Sequence, residues 1–133
     1  MRPVHAALVA SMILAASELS AQTNGGASTR DGVYTREQSI RGQDVYAGNC
    51  KSCHTPESHT GQLFTSKWNG KSLLELYTYL RESMPKNDPG TLSKEEYADV
   101  LAYMLRMNRM PPGDDDLAAD TTTLKAIRIH IKP

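Results

Sequence analysis

The sequence predicts an all-α fold of three main helices followed by an extended C-terminal arm. Two capping boxes, each a serine followed three residues later by a glutamate, stand directly before runs of apolar residues at helical spacing. Proline and glycine follow both runs and end them. An alternation suited to an edge strand or an extended arm comes last in the chain, at Ile127, Ile129 and Ile131.

The first helix is predicted from about Glu37 to Asn49. Gly42, Tyr46 and Cys50 then lie on one face at steps of four residues. Glycine inside a helix costs about 1 kcal/mol relative to alanine, so we expect Gly42 to let another backbone approach closely. The alternative is a loop glycine followed by a later helix start.

The second helix is predicted from Leu73 to Ser83, behind the capping box of Ser72 and Glu75. Pro85 prevents its continuation, because proline has no amide donor and restricts Met84 to extended geometry. Between the first two helices, residues 55–70 show no periodicity and are predicted to form an irregular segment around the functional site.

The third helix opens at the capping box of Ser93 and Glu96 and closes at Met110-Pro111-Pro112-Gly113. Its amphipathic pattern is the clearest in the chain. The acidic run 114–116 that follows is interpreted as a solubilising loop rather than a docking or calcium site, and a helical turn then precedes the arm. The apolar stripe consists of Tyr97, Val100, Leu101, Met104 and Leu105.

Residues 1–21 resemble a secretory signal peptide, with a basic start, an 11-residue apolar run and a small-residue cleavage site after Ala21. The run is shorter than the ~20 residues that span a bilayer, so we expect no membrane span after cleavage and a periplasmic protein. An uncleaved N-terminal helix is the alternative. Residues 22–35 are predicted to be a flexible leader, residues 36–112 the domain, and residues 113–133 the acidic loop and arm.

Composition argues against nucleic acid as a partner. Removing Arg2 and Glu18 with the signal leaves 14 basic and 14 acidic residues, whereas nucleic-acid-binding domains are basic. One Phe, one Trp and six Tyr are few large side chains for a core. A bound apolar cofactor would supply the missing bulk, as disulfides or metals do in other small domains.

Cys50-Lys51-Ser52-Cys53-His54 is a C-x-x-C-H sequence, the attachment signature of a c-type haem. Three-residue spacing places both thiols on one side of a helical turn, where each can add to a different haem vinyl group, and His54 can reach the iron. A zinc site lacks further ligands at suitable spacing, since these are the only cysteines. A redox dithiol would sit in a βαβ pattern, which is missing here.

The order helix, C-x-x-C-H, loop, helix, Met-Pro, helix resembles the class I c-type cytochromes over roughly Arg36 to Pro112. Gly42 and Tyr46 resemble the family's glycine and aromatic pair on the first helix. Tyr103 is similar to the aromatic residue of the last helix that crosses near this glycine. The resemblance implies a cytochrome c-like fold around one covalently attached haem c.

The resemblance is strongest to small periplasmic monohaem cytochromes that are often encoded with or fused to quinoprotein dehydrogenases. One departure lies after His54, where no residue is identified whose carbonyl would orient the imidazole. The shared segments are Met84-Pro85, Pro89-Gly90, Leu92-Ser93 and Glu96-Tyr97-Ala98-Asp99.

Met84 is the predicted sixth ligand of the iron, after His54. It precedes a proline outside a helix, 30 residues beyond His54, although methionine is more often core filler than ligand. Met110, an open iron position and His59 remain as alternatives. Met1 and Met12 leave with the signal, and Met104 and Met107 belong to the third helix.

Several side chains near this motif have two interpretations. Trp68 is expected either to donate to a haem propionate or to be a core ring. His59 is only five residues from His54 and is interpreted as a solvated loop residue. Lysines 51, 67, 71 and 86 form either a rim that attracts an acidic partner or an ordinary solvated surface.

Met and His ligation raises the reduction potential and leaves the iron no vacancy for substrate. We therefore expect an electron carrier rather than an enzyme, taking single electrons from a dehydrogenase and passing them to an oxidase or another cytochrome. Two alternatives remain. One is a catalytic or ligand-sensing haem domain with an open sixth position, and the other is a cytochrome subunit bound tightly to a dehydrogenase through the arm 127–131.

Overall fold

A computed structural model describes residues 27–131, and the predicted signal peptide 1–21 lies outside this range. The described part has no sheet, only two isolated bridges, so the predicted all-α fold is confirmed. No helix in the described part is both long and apolar enough to span a bilayer. The elements are α1 (Arg36–Asn49), a 3₁₀ turn (Pro56–His59), α2 (Gly61–Trp68), α3 (Leu73–Ser83), α4 (Lys94–Met107) and α5 (Thr121–Ala126).

Helices α1 and α4 form the main helix pair, and they meet at Gly42. A Cβ at this position would lie 1.8 Å from the carbonyl oxygen of Asp99, so the predicted close approach of two backbones is confirmed. The approaching chain is the Asp99 to Val100 backbone. Tyr103 packs one turn further along, with its ring 5.3 Å from that of Tyr46.

Both predicted capping boxes are present. The Ser72 hydroxyl accepts from the amide of Glu75 while the Glu75 carboxylate accepts from the amide of Ser72, and α3 has the predicted bounds. Ser93 and Glu96 make the same pair of bonds at the start of α4. These local bonds satisfy amides that have no partner within the helix, which is why the sequence alone located both starts.

Helix α2 lies within residues 55–70, which the sequence analysis predicted to be irregular. Phe64 and Trp68, four residues apart, are buried against the core, while the other six residues of the helix are not. Eight residues with two apolar anchors are too few to show a period of 3.6. The helix therefore depends on burial of these two rings more than on a local signal.

Residues 27–35 are packed, although they fall within the predicted flexible leader 22–35. Thr29 and Tyr34 are fully buried. The Tyr34 hydroxyl donates to the Met110 carbonyl at 2.6 Å, and the Tyr34 carbonyl accepts from the Gly113 amide at 2.7 Å. Serine, threonine and glycine mark a loop but do not show whether it is ordered. The domain boundaries at 36 and 112 stay a prediction.

The C-terminal segment lies against the domain instead of extending from it. Ile127 and Ile129 are buried, and their carbonyls accept from the amides of Leu73 and Gly70 at 2.9 and 2.7 Å. Arg128 bonds to the N-terminal segment, accepting from Thr29 at 2.9 Å and donating to Ala27 at 2.8 Å. Ile127 and Ile129 therefore fill this chain's own core, so their side chains are not available for the contact with a dehydrogenase that was considered as an alternative.

Candidate haem site

The C-x-x-C-H sequence continues directly from the last turn of α1. The Cys50 amide donates to the Tyr46 carbonyl at 2.8 Å, and the Cys50 carbonyl accepts from the amides of Cys53 and His54 at 3.1 and 2.9 Å. This extra turn brings the imidazole back beside the first cysteine. Cys50 is half-buried and Cys53 is exposed, and both are free thiols.

One cavity of about 710 Å³ brings together all four predicted site residues, Cys50, Cys53, His54 and Met84. They come from the end of α1 and the end of α3, while α2 and α4 supply other walls. The walls are largely apolar and include Leu63, Phe64, Trp68, Leu76, Leu80 and Val100.

Met84 is the C-cap residue of α3 and has the extended backbone, φ −134° and ψ 147°, that a following proline requires. Its amide still donates to the Leu80 carbonyl at 2.9 Å, and its own carbonyl accepts from the Tyr97 hydroxyl at 2.7 Å. The chain thus leaves the helix at the wall of the cavity. Pro85 is responsible for that exit.

A second methionine, Met104 of α4, also lines the cavity. The sequence analysis assigned Met104 to the apolar stripe of the third helix, and the structure shows that this stripe reaches the cavity. Met110, the alternative ligand considered from sequence, is buried beneath Tyr34 and is not among the lining residues. The plausible thioether ligands within residues 27–131 are therefore Met84 and Met104.

His59 lines the cavity, so its interpretation as a solvated loop residue is wrong. The turn Pro56–His59 folds back, and the His59 ring lies 4.8 Å from that of His54 and 5.8 Å from that of Tyr46. Burial lowers the pKa of His59, and the charges of His54 and Lys67 lower it further. The short sequence distance to His54 was the only available signal, and it did not reveal burial.

Trp68 is a buried ring and also a wall of the cavity, so both sequence interpretations retain support. The Lys67 ammonium lies 3.9 Å from the centroid of the Tyr79 ring and 5.0 Å from that of Trp68. Lys71 lies 5.3 Å from Trp68 on the same patch. Aromatic faces attract cations, so these contacts hold positive charge at the rim of the cavity.

The cavity fits a haem by three observations on its donors and walls. Its volume lies within the roughly 300–1,000 Å³ typical of cofactor pockets. The donors present are two thiols, imidazole and thioether, the set that haem attachment and ligation require. The buried Tyr46 hydroxyl lines the cavity without a hydrogen-bond partner in the described chain, and its burial raises the pKa to about 12.

A metal site and a redox-active dithiol, the two other uses of the cysteine pair, find less support. Among residues 27–131, no three His, Cys, Asp or Glu side chains come together at a distance suited to a metal ion. Burial raises the pKa of the Cys50 thiol, whereas reactive dithiols have a lowered pKa in one of their cysteines.

Comparisons with known proteins point to the cytochrome c family. Residues 37–104, just over half of the chain, match the family described as cytochrome c oxidase, cbb3-type, subunit III. A protein of Corynebacterium diphtheriae named cytochrome bc1 complex cytochrome c subunit is 28% identical over 93 residues, which are 65% of this chain and 33% of that protein. The chain thus matches about a third of the length of this relative. No solved structure gives a significant match.

Proposed function

This chain belongs to the cytochrome c family described as cbb3-type subunit III and is a class I c-type cytochrome, and from that premise we propose which residues and partners serve its electron transfer. The family implies one covalently attached haem c. Iron in such a haem gains and loses a single electron. The specific residues, donor, acceptor and compartment are the proposal.

Cys50 and Cys53 would hold the haem through two thioether bonds, and His54 and Met84 would bind its iron. The single observation that carries this assignment is that all four side chains line one largely apolar cavity although 30 residues separate the two ligands. Iron bound by both His54 and Met84 would have no place for a substrate, which favours electron transfer over catalysis.

The proposed donor is a dehydrogenase and the proposed acceptor an oxidase or another cytochrome. The similarity to a protein named as a subunit of a cytochrome bc1 complex supports a redox protein as partner. The signal-like residues 1–21 support export to the periplasm, where haem is attached. In this proposal the protein is a shuttle that meets its donor and its acceptor one after another.

Docking occurs at the mouth of the cavity. Leu63 lines the cavity and is 67% exposed, and Tyr79, also a lining residue, is 36% exposed. Lys67 and Lys86 are exposed at the same mouth. A small apolar patch among cations suits brief contact with an acidic partner, and the rate of association falls as salt screens these charges.

Mass spectrometry of the protein made in a host that matures c-type cytochromes tests the proposal. The expected mass is that of residues 22–133 plus one haem, and neither thiol reacts with an alkylating agent. The matched control is the double variant Cys50→Ala, Cys53→Ala, which carries no covalent haem. Colourless wild-type protein with two alkylatable thiols would overturn the assignment of the cofactor site, and a retained leader would overturn the export proposal alone.

A further inference from the structure

The loop that carries Met84 is joined at both ends to one buried hydroxyl group. We define the methionine loop as residues 84–90. The hydroxyl of Tyr97, on α4, donates to the Met84 carbonyl at 2.7 Å and accepts from the Gly90 amide at 3.1 Å. Tyr97 is only 2% exposed. Its hydroxyl therefore uses its one proton and one lone pair on the two ends of the same loop.

The methionine loop has little other support. Residues 86–90 are exposed, and the bond from the Asp88 amide to the Pro85 carbonyl, 3.0 Å long, is internal to the loop. Gly90 has φ +79°, a conformation that glycine adopts without strain. An exposed segment with few packed side chains opens at low free energy unless something ties it to the core.

Tyr97 is itself held rigidly. Its ring packs edge-on against the Tyr77 ring at 6.2 Å between centroids, a contact between rings that does not depend on the Tyr77 hydroxyl. The capping box of Ser93 and Glu96 fixes the first turn of α4, to which Tyr97 belongs. Helix α4 in turn packs against α1 at the Gly42 contact. The position of the hydroxyl is thus set by a buried helix that packs closely against α1.

We propose that Tyr97 is a positioning residue whose hydroxyl clamps the methionine loop, keeps the Met84 thioether at the cavity and so limits its replacement by an external iron ligand. This inference rests on the proposed role of Met84 as an iron ligand. The hydrogen bond from the Tyr97 hydroxyl to the Met84 carbonyl holds the backbone of Met84 in place. Because the Met84 side chain starts from this backbone, the same bond restrains the position of the thioether.

The test compares Tyr97→Phe with Tyr77→Phe in the holoprotein. Each variant removes one hydroxyl from a buried tyrosine of the same cluster, but only the first frees the methionine loop. The readouts are the thioether-to-iron charge-transfer band of the oxidised protein, the reduction potential and the cyanide dissociation constant. We expect cyanide to bind Tyr97→Phe on the order of tenfold more tightly than wild type, with a weaker band, and Tyr77→Phe to match wild type.

Wild type and Met84→Leu separate the clamp from the ligand assignment. If wild type shows the band, Met84→Leu loses it and the two phenylalanine variants bind cyanide equally, the clamp is wrong and the ligand assignment stands. If wild type lacks the band and Met84→Leu leaves cyanide affinity unchanged, Met84 is not a ligand and the clamp falls with it.

A second measurement applies if Tyr97→Phe does not accumulate as holoprotein. In NMR spectra of reduced wild type, the Tyr97 hydroxyl proton is expected to exchange slowly with solvent and to show a cross-peak to the Gly90 amide proton. A hydroxyl proton in rapid exchange would show that the bonds to the loop do not persist, and it would overturn the proposal.

Discussion

At the scale of single residues, two methionines with identical side chains differ as candidate iron ligands because their backbones differ. Met84 and Met104 both line the cavity. Met84 lies at a helix exit with an extended backbone, at the start of the exposed methionine loop. Met104 lies inside α4, where it is 3% exposed and packs in the core. A side chain that contributes to packing on a rigid helix has less freedom to meet the iron.

Substitution by leucine of nearly equal volume distinguishes these two methionines. Met84→Leu is expected to abolish the thioether-to-iron band and lower the reduction potential, because a strong thioether ligand is lost. Met104→Leu is the control, and it should keep the band with a stability change below about 1.5 kcal/mol. Optical spectra and potentiometry measure both. The opposite pattern, a band lost only in Met104→Leu, would make Met104 the ligand.

At the scale of elements, the close packing of α1 against α4 depends on a glycine, Gly42. Gly42 weakens α1 locally, yet it allows the Asp99 carbonyl to approach the helix backbone. Gly48 on the same helix has no atom within 4 Å of where a Cβ would be. Both glycines lower the stability of the isolated helix, but only Gly42 is needed for close packing against α4.

Gly42→Ala is therefore expected to destabilise the protein although alanine favours the helix. A Cβ at 1.8 Å from a carbonyl oxygen forces the helices apart, and we expect a loss of about 2 kcal/mol or more in the free energy of unfolding. Gly48→Ala, the matched control, should be neutral or stabilising by up to about 1 kcal/mol. Denaturant titration of both holoproteins gives the comparison. Equal effects of the two variants would argue against the close crossing.

A cluster around Arg41 joins α1, α4 and the acidic loop. The guanidinium donates to both carboxylate oxygens of Asp99, at 3.2 and 3.3 Å, and to Asp116 at 2.5 Å. The Thr35 hydroxyl also donates to Asp116. That bond, and then Arg41, holds the pKa of Asp116 below its usual value. The acidic run thus includes one residue that bonds to the first helix.

Asp116→Asn should lower stability at neutral pH by up to about 1 kcal/mol, as for other exposed pairs. A pKa lowered by folding stabilises the protein above the unfolded value near 4, and this contribution is lost as the pH falls through the folded value. The stabilities of variant and wild type should therefore converge once the pH falls below the lowered pKa of folded Asp116. The control is Asp115→Asn, whose side chain makes no hydrogen bond within residues 27–131. A difference that persists in acid would contradict the pairing.

At the scale of the whole molecule, the two ends of the described chain close the fold together. Residues 27–29 pair with Arg128, and residues 127–129 pair with the segment before α3. The cavity lies between helices that share a single apolar cluster, so bound haem adds to a core with few large side chains. Its attachment and the packing of the chain ends stabilise the same domain.

Ile129→Ala tests whether the C-terminal segment is part of the core. Ile129 is fully buried, and removing three carbon atoms there is expected to cost about 2–5 kcal/mol. Ile131, which is only partly buried, gives the matched control, and Ile131→Ala should cost clearly less. Thermal and denaturant unfolding of the holoproteins measure both. A negligible cost for Ile129→Ala would mean that the segment is not docked in solution.

Helix starts and ends could be predicted from the sequence where they depend on interactions between residues close together in the chain. The capping boxes span three residues, and Pro85 acts on its immediate neighbour, so α3 had the predicted bounds. Helix α2, the position of His59 at the cavity and the hydrogen bond from Tyr34 to Met110 were not predicted. These depend on contacts between residues far apart in sequence, and no short pattern encodes them.

By itself the sequence determined the three main helices, the C-x-x-C-H spacing and the need for a close approach at Gly42, because bonded neighbours and helical periodicity specify each of them. Only the tertiary structure decided which methionines reach the cavity, which tyrosine bonds to the methionine loop and how the chain ends pack. The physical reason is that burial and hydrogen bonding between distant segments arise only when the helices pack together.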